Sequence, residues 1–210
     1  MLVLRNANVP YHEPRPLWSA SKRAHFFKSM LQEIPITSQK RWRDLRRRGI
    51  GGSDIAALMG VNPYATREDV YRSKTEGYDV IETEQMRIGK RIESFIVREF
   101  HQAKPEFGIV NPKRLYKRDE IYLATPDRLL CVGDTAPQAV LEIKNCEYWS
   151  RQKRTMAAYQ VQWYLFVLGL KFGYICSLEK GWKLHTQVIV RDDELIERMR
   201  DTAQAFWEKV

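Results

Sequence analysis

The hydrophobic pattern of the chain changes in character near residue 105, and this change constrains the fold most strongly. Before it, apolar residues recur at helical spacing; after it, they gather mainly in short runs rich in β-branched and aromatic residues. The predicted helices span about 17–33, 38–48, 54–59, 67–76, 83–103, 156–168 and 192–208. The predicted strands span about 109–110, 114–116, 121–124, 128–132, 139–144, 172–178 and 183–190. This order predicts an α/β (α+β) domain with a central mixed β-sheet flanked by helices.

The length of 210 residues suits one domain with a sizeable core. We expect residues 1–210 to form that single domain, with residues 1–35 as an N-terminal helical appendage. No stretch approaches the roughly 20 apolar residues of a membrane span, and the first residues do not resemble a secretory signal. Three widely spaced cysteines predict no disulfide framework. We therefore expect an intracellular protein that makes no membrane contact.

Basic residues outnumber acidic ones by 35 to 26, which gives a net charge of +9. Residues 39–48 alone hold six cations and one aspartate. Such an excess favours a polyanionic partner, most often nucleic acid. A basic run is also typical of a solvated helix face, so the charge by itself leaves the partner open.

Two short motifs on neighbouring predicted strands carry the candidate chemistry. Asp127 ends the sequence Thr125-Pro126-Asp127, and Glu142 and Lys144 lie on the strand after the next turn. Residues two apart on a strand project from the same face, and Asp127 can lie beside Glu142. Two adjacent carboxylates repel each other unless a divalent cation lies between them. A cation held there, with a lysine beside the attacking water, is what metal-assisted phosphodiester hydrolysis needs.

A Glu-x-Lys sequence also occurs by chance and could line a solvated strand face. Here Val140, Leu141 and Ile143 make the strand apolar, which favours a central position where charges need partners. Glu93 lies on the apolar stripe of the longest predicted helix. It is either a further metal ligand or part of a structural ion pair. Gly89, one turn earlier, would let another backbone approach closely.

Five motifs then occur in an order that resembles one family of nucleases. They are RRRGIGGSDIAALMGVNPY, GKRIE, TPD, LEIK and YQVQWYL, and they cover roughly residues 40–170. Together they resemble the lambda exonuclease / YqaJ-type viral recombinase family. The resemblance implies the PD-(D/E)xK, restriction-endonuclease-like fold, a mixed sheet flanked by helices.

The same resemblance implies an activity and a setting. Members of the family are Mg²⁺-dependent exonucleases that digest one strand of duplex DNA from a phosphorylated 5′ end and leave a 3′ single-stranded overhang. The expected cofactor is Mg²⁺, two ions in each active site, with Mn²⁺ as a substitute. The expected partners are double-stranded DNA, a single-strand annealing protein and two further copies of the chain in a homotrimeric ring. The expected setting is phage or prophage recombination in the cytoplasm of a bacterial host cell.

The resemblance also implies roles for individual residues. Asp127 and Glu142 look like metal-binding carboxylates, and Ile143 would lend its backbone carbonyl. Lys144 looks like the catalytic lysine, and Glu93 looks like the helix carboxylate that completes the site. The residues that look like ligands of the 5′-phosphate or the DNA are Arg46, Ser53, Thr125 and Gln160.

The residues themselves support these DNA contacts to different degrees. Ser53 is predicted to be the N-cap of a short helix, where free N–H groups favour a phosphate. Arg46 suits bidentate phosphate binding, but Arg47 and Arg48 adjoin it and leave the choice among the three open. Gln160 either reaches into the site or packs at the edge of an aromatic-rich helix.

The chain departs from the family motif at one position, and two alternative functions stay open. Many relatives carry glycine after the aspartate, whereas this chain carries Arg128, which adds a cation beside the site. A DNA endonuclease on the same fold stays open and would cut covalently closed circles. A DNA-binding protein without catalysis is the other alternative, although Asp127, Glu142 and Lys144 are all present.

Overall fold

A computed structural model describes residues 31–77, 83–133 and 135–210. The helices in these ranges are α1 (Gln39–Arg46), α2 (Gly52–Leu58), α3 (Arg67–Thr75), α4 (Glu84–Ala103), α5 (Arg151–Leu168) and α6 (Asp193–Trp207). The strands are β1 (Leu31–Pro35), β2 (Gly108–Val110), β3 (Arg114–Arg118), β4 (Tyr122–Ala124), β5 (Arg128–Cys131), β6 (Ala139–Cys146), β7 (Phe172–Glu179) and β8 (Lys183–Val190). None of these helices is long and apolar enough to cross a membrane. From residue 39 onward, the order of elements is the predicted one.

The N-terminal end of the described chain differs from the prediction. The helix predicted over 17–33 was wrong for its last residues, because Leu31–Pro35 form strand β1 and pair antiparallel with β3. The pairing partner lies some 80 residues further along the chain, so no local pattern announced it. Residues 1–30, which hold the rest of the predicted helical appendage, lie outside the described residues.

The strands form two sheets. A small antiparallel sheet has the order β1-β3-β4, and a larger sheet has the order β2-β5-β6-β7-β8. In the larger sheet only β6 and β7 are parallel, and α5 provides the crossover between them. The predicted mixed sheet is therefore confirmed. Strand β6, which carries Glu142 and Lys144, lies at its centre.

Helices cover both faces of the larger sheet. On one face Val140 packs in a cluster with Val161 of α5 and with residues of α2 and α6. On the other face Leu141 packs with Ile96 and Phe100 of α4. Because side chains alternate along a strand, Glu142 shares the α5 face with Val140. The side chains of Glu142 and Lys144 thus lie on the face of the larger sheet that α5 covers.

Helix α4 buries only the C-terminal half of its apolar stripe. Ile96 and Phe100 are fully buried, whereas Met86 is 45% exposed. A Cβ atom at Gly89 would meet no atom of the described chain within 4 Å, so no described backbone makes the close approach that Gly89 would allow. Within the described residues, the first half of α4 is therefore packed less closely than its second half.

Candidate active site

A cleft of about 420 Å³ lies where the loop before α2, the start of β5, the middle of β6 and helix α5 meet. We call it the first cleft. Seven of the nine predicted site residues line it: Arg46, Ser53, Glu93, Thr125, Asp127, Glu142 and Gln160. Of the other two, Ile143 is hydrogen-bonded to Asp127, and Lys144 is hydrogen-bonded to Glu142. Residues that are up to 114 positions apart in the sequence therefore converge on one place.

The carboxylates and the lysine are brought together by the pairing of β5 with β6. This pairing carries Asp127, the residue before β5, to the edge of β6. Its Oδ2 atom accepts a hydrogen bond of 2.8 Å from the N–H of Ile143. Lys144 Nζ donates to Glu142 Oε1 at 2.5 Å, and Glu142 is only 3% exposed. The expected same-face arrangement of Glu142 and Lys144 is present.

The electrostatics of this group favour an additional positive charge. Burial raises the pKa of Asp127 well above its ordinary value, and the neighbouring carboxylate of Glu142 raises it further. Burial alone would lower the pKa of Lys144, but Glu142 and Asp127 together outweigh burial and raise it. Two adjacent carboxylates are thus offset by one ammonium group, and either a proton or a cation relieves the remaining repulsion.

The oxygen atoms in this group fit a hard divalent cation. Glu142 Oε2 is buried and has no hydrogen-bond partner in the described part of the chain. The N–H and C=O groups of one strand residue lie on the same strand edge, so the carbonyl of Ile143 is directed to the side of Asp127. Mg²⁺ favours such carboxylate and carbonyl oxygens. Among the described residues, no three His, Cys, Asp or Glu side chains converge as a complete metal site.

The helix carboxylate, Glu93, takes a different partner in this structure. It lines the first cleft, but its carboxylate forms an ion pair with Arg128. Arg128 also donates a 2.5 Å hydrogen bond to the carbonyl oxygen of Asp127. Arg128 therefore lies inside the site and holds the helix carboxylate. The role of Glu93 as a metal ligand stays a prediction.

The glycine-rich loop at residues 49–52 is fixed by β4 and α5. The N–H of Ile50 donates to the carbonyl of Ile121 at 2.7 Å, and the indole N–H of Trp163 donates to the carbonyl of Ile50 at 3.1 Å. A Cβ atom at Gly49 would lie 2.4 Å from the Ile121 oxygen, so a side chain has no room there. This anchoring places the residues that follow the loop against the strand carboxylates.

Arg46 and Ser53 are in direct contact at the mouth of this loop. Arg46 Nη2 donates to Ser53 Oγ at 2.7 Å and to Asp54 Oδ1 at 2.9 Å. The prediction that Ser53 is the N-cap was wrong, because α2 begins at Gly52 after the N-cap Gly51. The carboxylate of Asp54 accepts the N–H of Gly51 at 2.9 Å and so takes over the capping contact. The hydroxyl of Ser53 is thereby left to Arg46 and the cleft.

Sequence reasoning missed a buried ion pair behind Arg46. Lys74 Nζ lies 2.7 Å from Asp54 Oδ2 and donates to the carbonyl oxygen of Arg46 at 2.8 Å. The Lys74 side chain is 1% exposed. Burial alone would raise the pKa of Asp54, but Lys74 and Arg46 outweigh it and the pKa is lowered. Lys74 follows Asp54 by 20 residues on another helix, so no local signal marked it.

Tyr164 is a second site residue that the sequence did not single out. It is 4% exposed, lines the first cleft and forms a hydrogen bond with Thr125. Burial raises its pKa well above the ordinary value, with contributions from Glu142 and Asp127, so its hydroxyl stays protonated. Gln160, one turn earlier on α5, is 7% exposed and lines the same cleft, as expected. The spacing of four residues between them was the available signal.

The sequence matches the model of the YqaJ-like viral recombinase domain over residues 41–171. The chain belongs to the YqaJ-like viral recombinase family. It is 31% identical over 199 residues to the uncharacterized protein YqaJ of Bacillus subtilis. That alignment covers 89% of this chain and 60% of the relative, so the chain spans about 60% of the length of its curated relative.

Solved structures share the fold of this YqaJ-like chain. The alkaline exonuclease LHK-Exo of Laribacter hongkongensis superposes with a TM-score of 0.60 at 20% identity, over 81% of this chain and 92% of that one. The complex of LHK-Exo with dAMP gives a TM-score of 0.61 at 18% identity and the same coverage. A phage-related exonuclease from Haemophilus somnus 129PT gives 0.57 at 13% identity, over 80% and 97% of the two chains. These likenesses confirm the predicted nuclease-type fold.

Proposed function

We propose that this chain is a Mg²⁺-dependent DNA exonuclease that digests one strand of duplex DNA from a 5′ end and leaves a 3′ overhang. The observation that carries the proposal is that Asp127 and Glu142, with Lys144 hydrogen-bonded to Glu142, lie at the same cleft as the contact between Arg46 and Ser53. The first group can act on a phosphodiester, and the second can hold a terminal phosphate. An exonuclease that starts at a phosphorylated end needs both functions within one nucleotide of each other.

The metal would be held by Asp127, Glu142 and the carbonyl of Ile143, with Mn²⁺ as a substitute and two ions as the expected number. A bound Mg²⁺ supplies charge stabilisation for the phosphate and lowers the pKa of the attacking water. Lys144 carries a proton at neutral pH, because the two carboxylates raise its pKa. It therefore donates a hydrogen bond to the water or to a phosphate oxygen and offsets negative charge in the transition state.

Arg46 is the arginine that we propose for the 5′-phosphate. It lines the first cleft, whereas Arg47 donates a 2.9 Å hydrogen bond to the carbonyl of Gly77. Ser53 supplies a hydroxyl beside the guanidinium, and the N–H groups at the start of α2 add partial positive charge. Thr125 and Gln160 line the same cleft and are proposed as further DNA contacts.

The proposal is tested with linear duplex DNA that does or does not carry a 5′-phosphate, and with a covalently closed circle. Wild type and Lys144→Ala are compared in Mg²⁺ and in EDTA. We expect Mg²⁺-dependent release of nucleotides from the phosphorylated linear DNA, and a rate lower by about 10²–10⁴-fold in Lys144→Ala. Lys183→Ala, an exposed lysine on β8, is the matched control and should keep the wild-type rate. Thermal melting of all three proteins checks that each is folded.

The alternatives give other outcomes in the same experiment. Cleavage of the closed circle would identify an endonuclease on this fold. DNA binding without cleavage in any divalent metal would identify a binding protein and contradict the catalytic proposal. A Lys144→Ala variant that keeps the wild-type rate would remove Lys144 from the mechanism and leave the exonuclease class standing.

The proposal extends to assembly and setting. We propose that the chain acts as one nuclease domain in the cytoplasm of a bacterial host cell, beside a single-strand annealing protein that coats the 3′ overhang. A homotrimeric ring with a charge of +9 on each copy would hold DNA through many phosphate contacts. Light scattering after gel filtration tests the ring, and a monomer at the working concentration would contradict it. An annealing protein that does not bind the chain in a pull-down would contradict the partnership.

A further inference from the structure

A second cleft of about 380 Å³ lies beyond the C-terminal half of β6. Lys144 lines this second cleft, whereas Glu142 lines the first. The 2.5 Å contact between Lys144 Nζ and Glu142 Oε1 therefore marks the place where the two clefts meet. A group bound at this contact has one cleft on each side of it.

Strand β6 and helices α4 and α5 each contribute residues to both clefts. On α4, Gln85 and Ile88 line the second cleft, and Glu93 lines the first. On α5, Met156 lines the second cleft, and Gln160, one turn later, lines the first. One helical turn or two strand residues correspond to roughly 6 Å, which is about the length of one nucleotide in an extended strand. The two clefts are therefore adjacent along a common direction.

The lining of the second cleft fits a nucleotide. Tyr64, which follows Pro63 in the turn after α2, lines this cleft and is 69% exposed. Lys144 and Lys153 provide cations, Asn145 provides an amide, and one exposed carboxylate, Glu147, also lies on the wall. Exposed aromatic rings beside cations are typical of sites for single-stranded nucleic acid, where bases stack on the rings and the cations contact the phosphates.

We propose that the second cleft binds the second nucleotide of the digested strand, with its base stacked on Tyr64, while the terminal nucleotide occupies the first cleft. This inference rests on the proposed exonuclease function. The scissile phosphate then lies at the Glu142–Lys144 contact, between the two nucleotides. Tyr64 is thereby a substrate-binding residue that holds the strand in register with the carboxylates.

The test uses 5′-phosphorylated duplex DNA with a single abasic residue at the first or the second position of the digested strand. Release of the first nucleotide is measured in single-turnover reactions with Mg²⁺ for wild type, Tyr64→Ala and Tyr64→Phe. We expect the abasic residue at the second position to slow wild type by roughly 5- to 150-fold. Tyr64→Ala should be slow on intact DNA and no slower on this substrate, whereas Tyr64→Phe should behave as wild type does. Tyr148→Ala is the matched control, since Tyr148 is 56% exposed and lies outside both cleft linings.

Two results overturn the proposal. One is a Tyr64→Ala variant that releases the first nucleotide as fast as wild type does. The other is a Tyr64→Ala variant whose rate is lowered further, by the wild-type factor, when the second position is abasic. Absence of cleavage by wild type contradicts the proposed function instead. In that case, DNA binding in EDTA tests whether the second cleft holds the second nucleotide. An oligonucleotide with 2-aminopurine at the second position should be quenched by wild type and not by Tyr64→Ala. Equal fluorescence with both proteins overturns the assignment of this cleft.

Discussion

Lys74 and Asp54 form an ion pair of 2.7 Å behind the guanidinium of Arg46, and the ammonium group also holds the carbonyl of Arg46. The side chains of Lys74 and Asp54 are 1% and 10% exposed, and Arg46, which faces the cleft, is 29% exposed. The pair thus joins α2 and α3 to the arginine that is proposed to bind the DNA end. Arg46, Lys74 and Asp54 together carry a net charge of +1, which leaves one positive charge for a phosphate.

Replacement of Lys74 should disturb both stability and end recognition. Lys74→Met leaves Asp54 buried with Arg46 as its remaining cation, and breaking a buried pair costs about 3 kcal/mol of unfolding free energy. Arg46 is then drawn toward Asp54, so the preference for phosphorylated over unphosphorylated 5′ ends should fall. Urea denaturation measures the first effect and the ratio of kcat/KM on the two DNA ends measures the second. Lys183→Met, at an exposed lysine, should change neither, and an unchanged end preference in Lys74→Met would contradict the positioning role.

Replacement of Arg46 should act on one kind of DNA end. Arg46→Gln removes a charged donor to the phosphate, and such a bond contributes about 1.5–3 kcal/mol. We expect kcat/KM for 5′-phosphorylated DNA to fall by roughly 10- to 150-fold, with little change for 5′-hydroxyl DNA. Arg48→Gln is the matched control, because Arg48 is exposed and does not line the cleft. An equal loss on both ends would show that Arg46 acts on the fold rather than on the phosphate.

Replacement of Asp127 should remove activity and increase stability. Because burial and Glu142 raise the pKa of Asp127, the folded wild type favours a proton that the unfolded chain releases. Stability from this group is therefore lost as the pH rises from the ordinary carboxyl range through the raised native pKa. In EDTA, Asp127→Asn should exceed wild type by about 0.5–2 kcal/mol near neutral pH, a typical gain when an active-site strain is removed. The difference should vanish at low pH, and a difference independent of pH would contradict this account.

Two glycine replacements should have opposite signs. A Cβ atom at Gly52 would lie 2.7 Å from the ring of Tyr164, so Gly52→Ala should lower the unfolding free energy by about 1–3 kcal/mol. A Cβ atom at Gly89 would meet nothing within 4 Å in the middle of α4, so Gly89→Ala should raise it by about 0.5–1 kcal/mol. Thermal or urea denaturation measures both. Nuclease activity should fall only in Gly52→Ala, since Tyr164 lines the cleft.

Much of the site could be predicted because its residues belong to short motifs that lie on or beside helices and strands. The apolar flanks of β6 predicted a central strand, and a central strand with alternating charges requires partners. The pairing of Asp127 with the edge of β6 followed from the turn between the two strands. For the same reason most boundaries from residue 39 onward agree with the structure within a few residues. The exception is the start of α5, which lies five residues earlier than expected.

The remainder depends on contacts that no local pattern encodes. Strand β1 exists because β3 pairs with it, and Lys74 matters because α3 brings it to Asp54. Ser53 lost its predicted capping role because the side chain of Asp54 performs it one residue later. The pairing of Arg128 with Glu93 likewise joins a strand to a helix over 35 residues. Each of these contacts is set by packing between distant elements, which a single sequence does not reveal.

The crossover from β6 through α5 to β7 also fixes when activity can arise during protein synthesis. A nascent chain that has left the ribosome only as far as residue 150 already contains Asp127, Glu142 and Lys144. It lacks the helix that carries Gln160 and Tyr164, and it lacks β7, so β6 is still an unpaired edge. The proposed active site is therefore complete only after most of the chain has emerged.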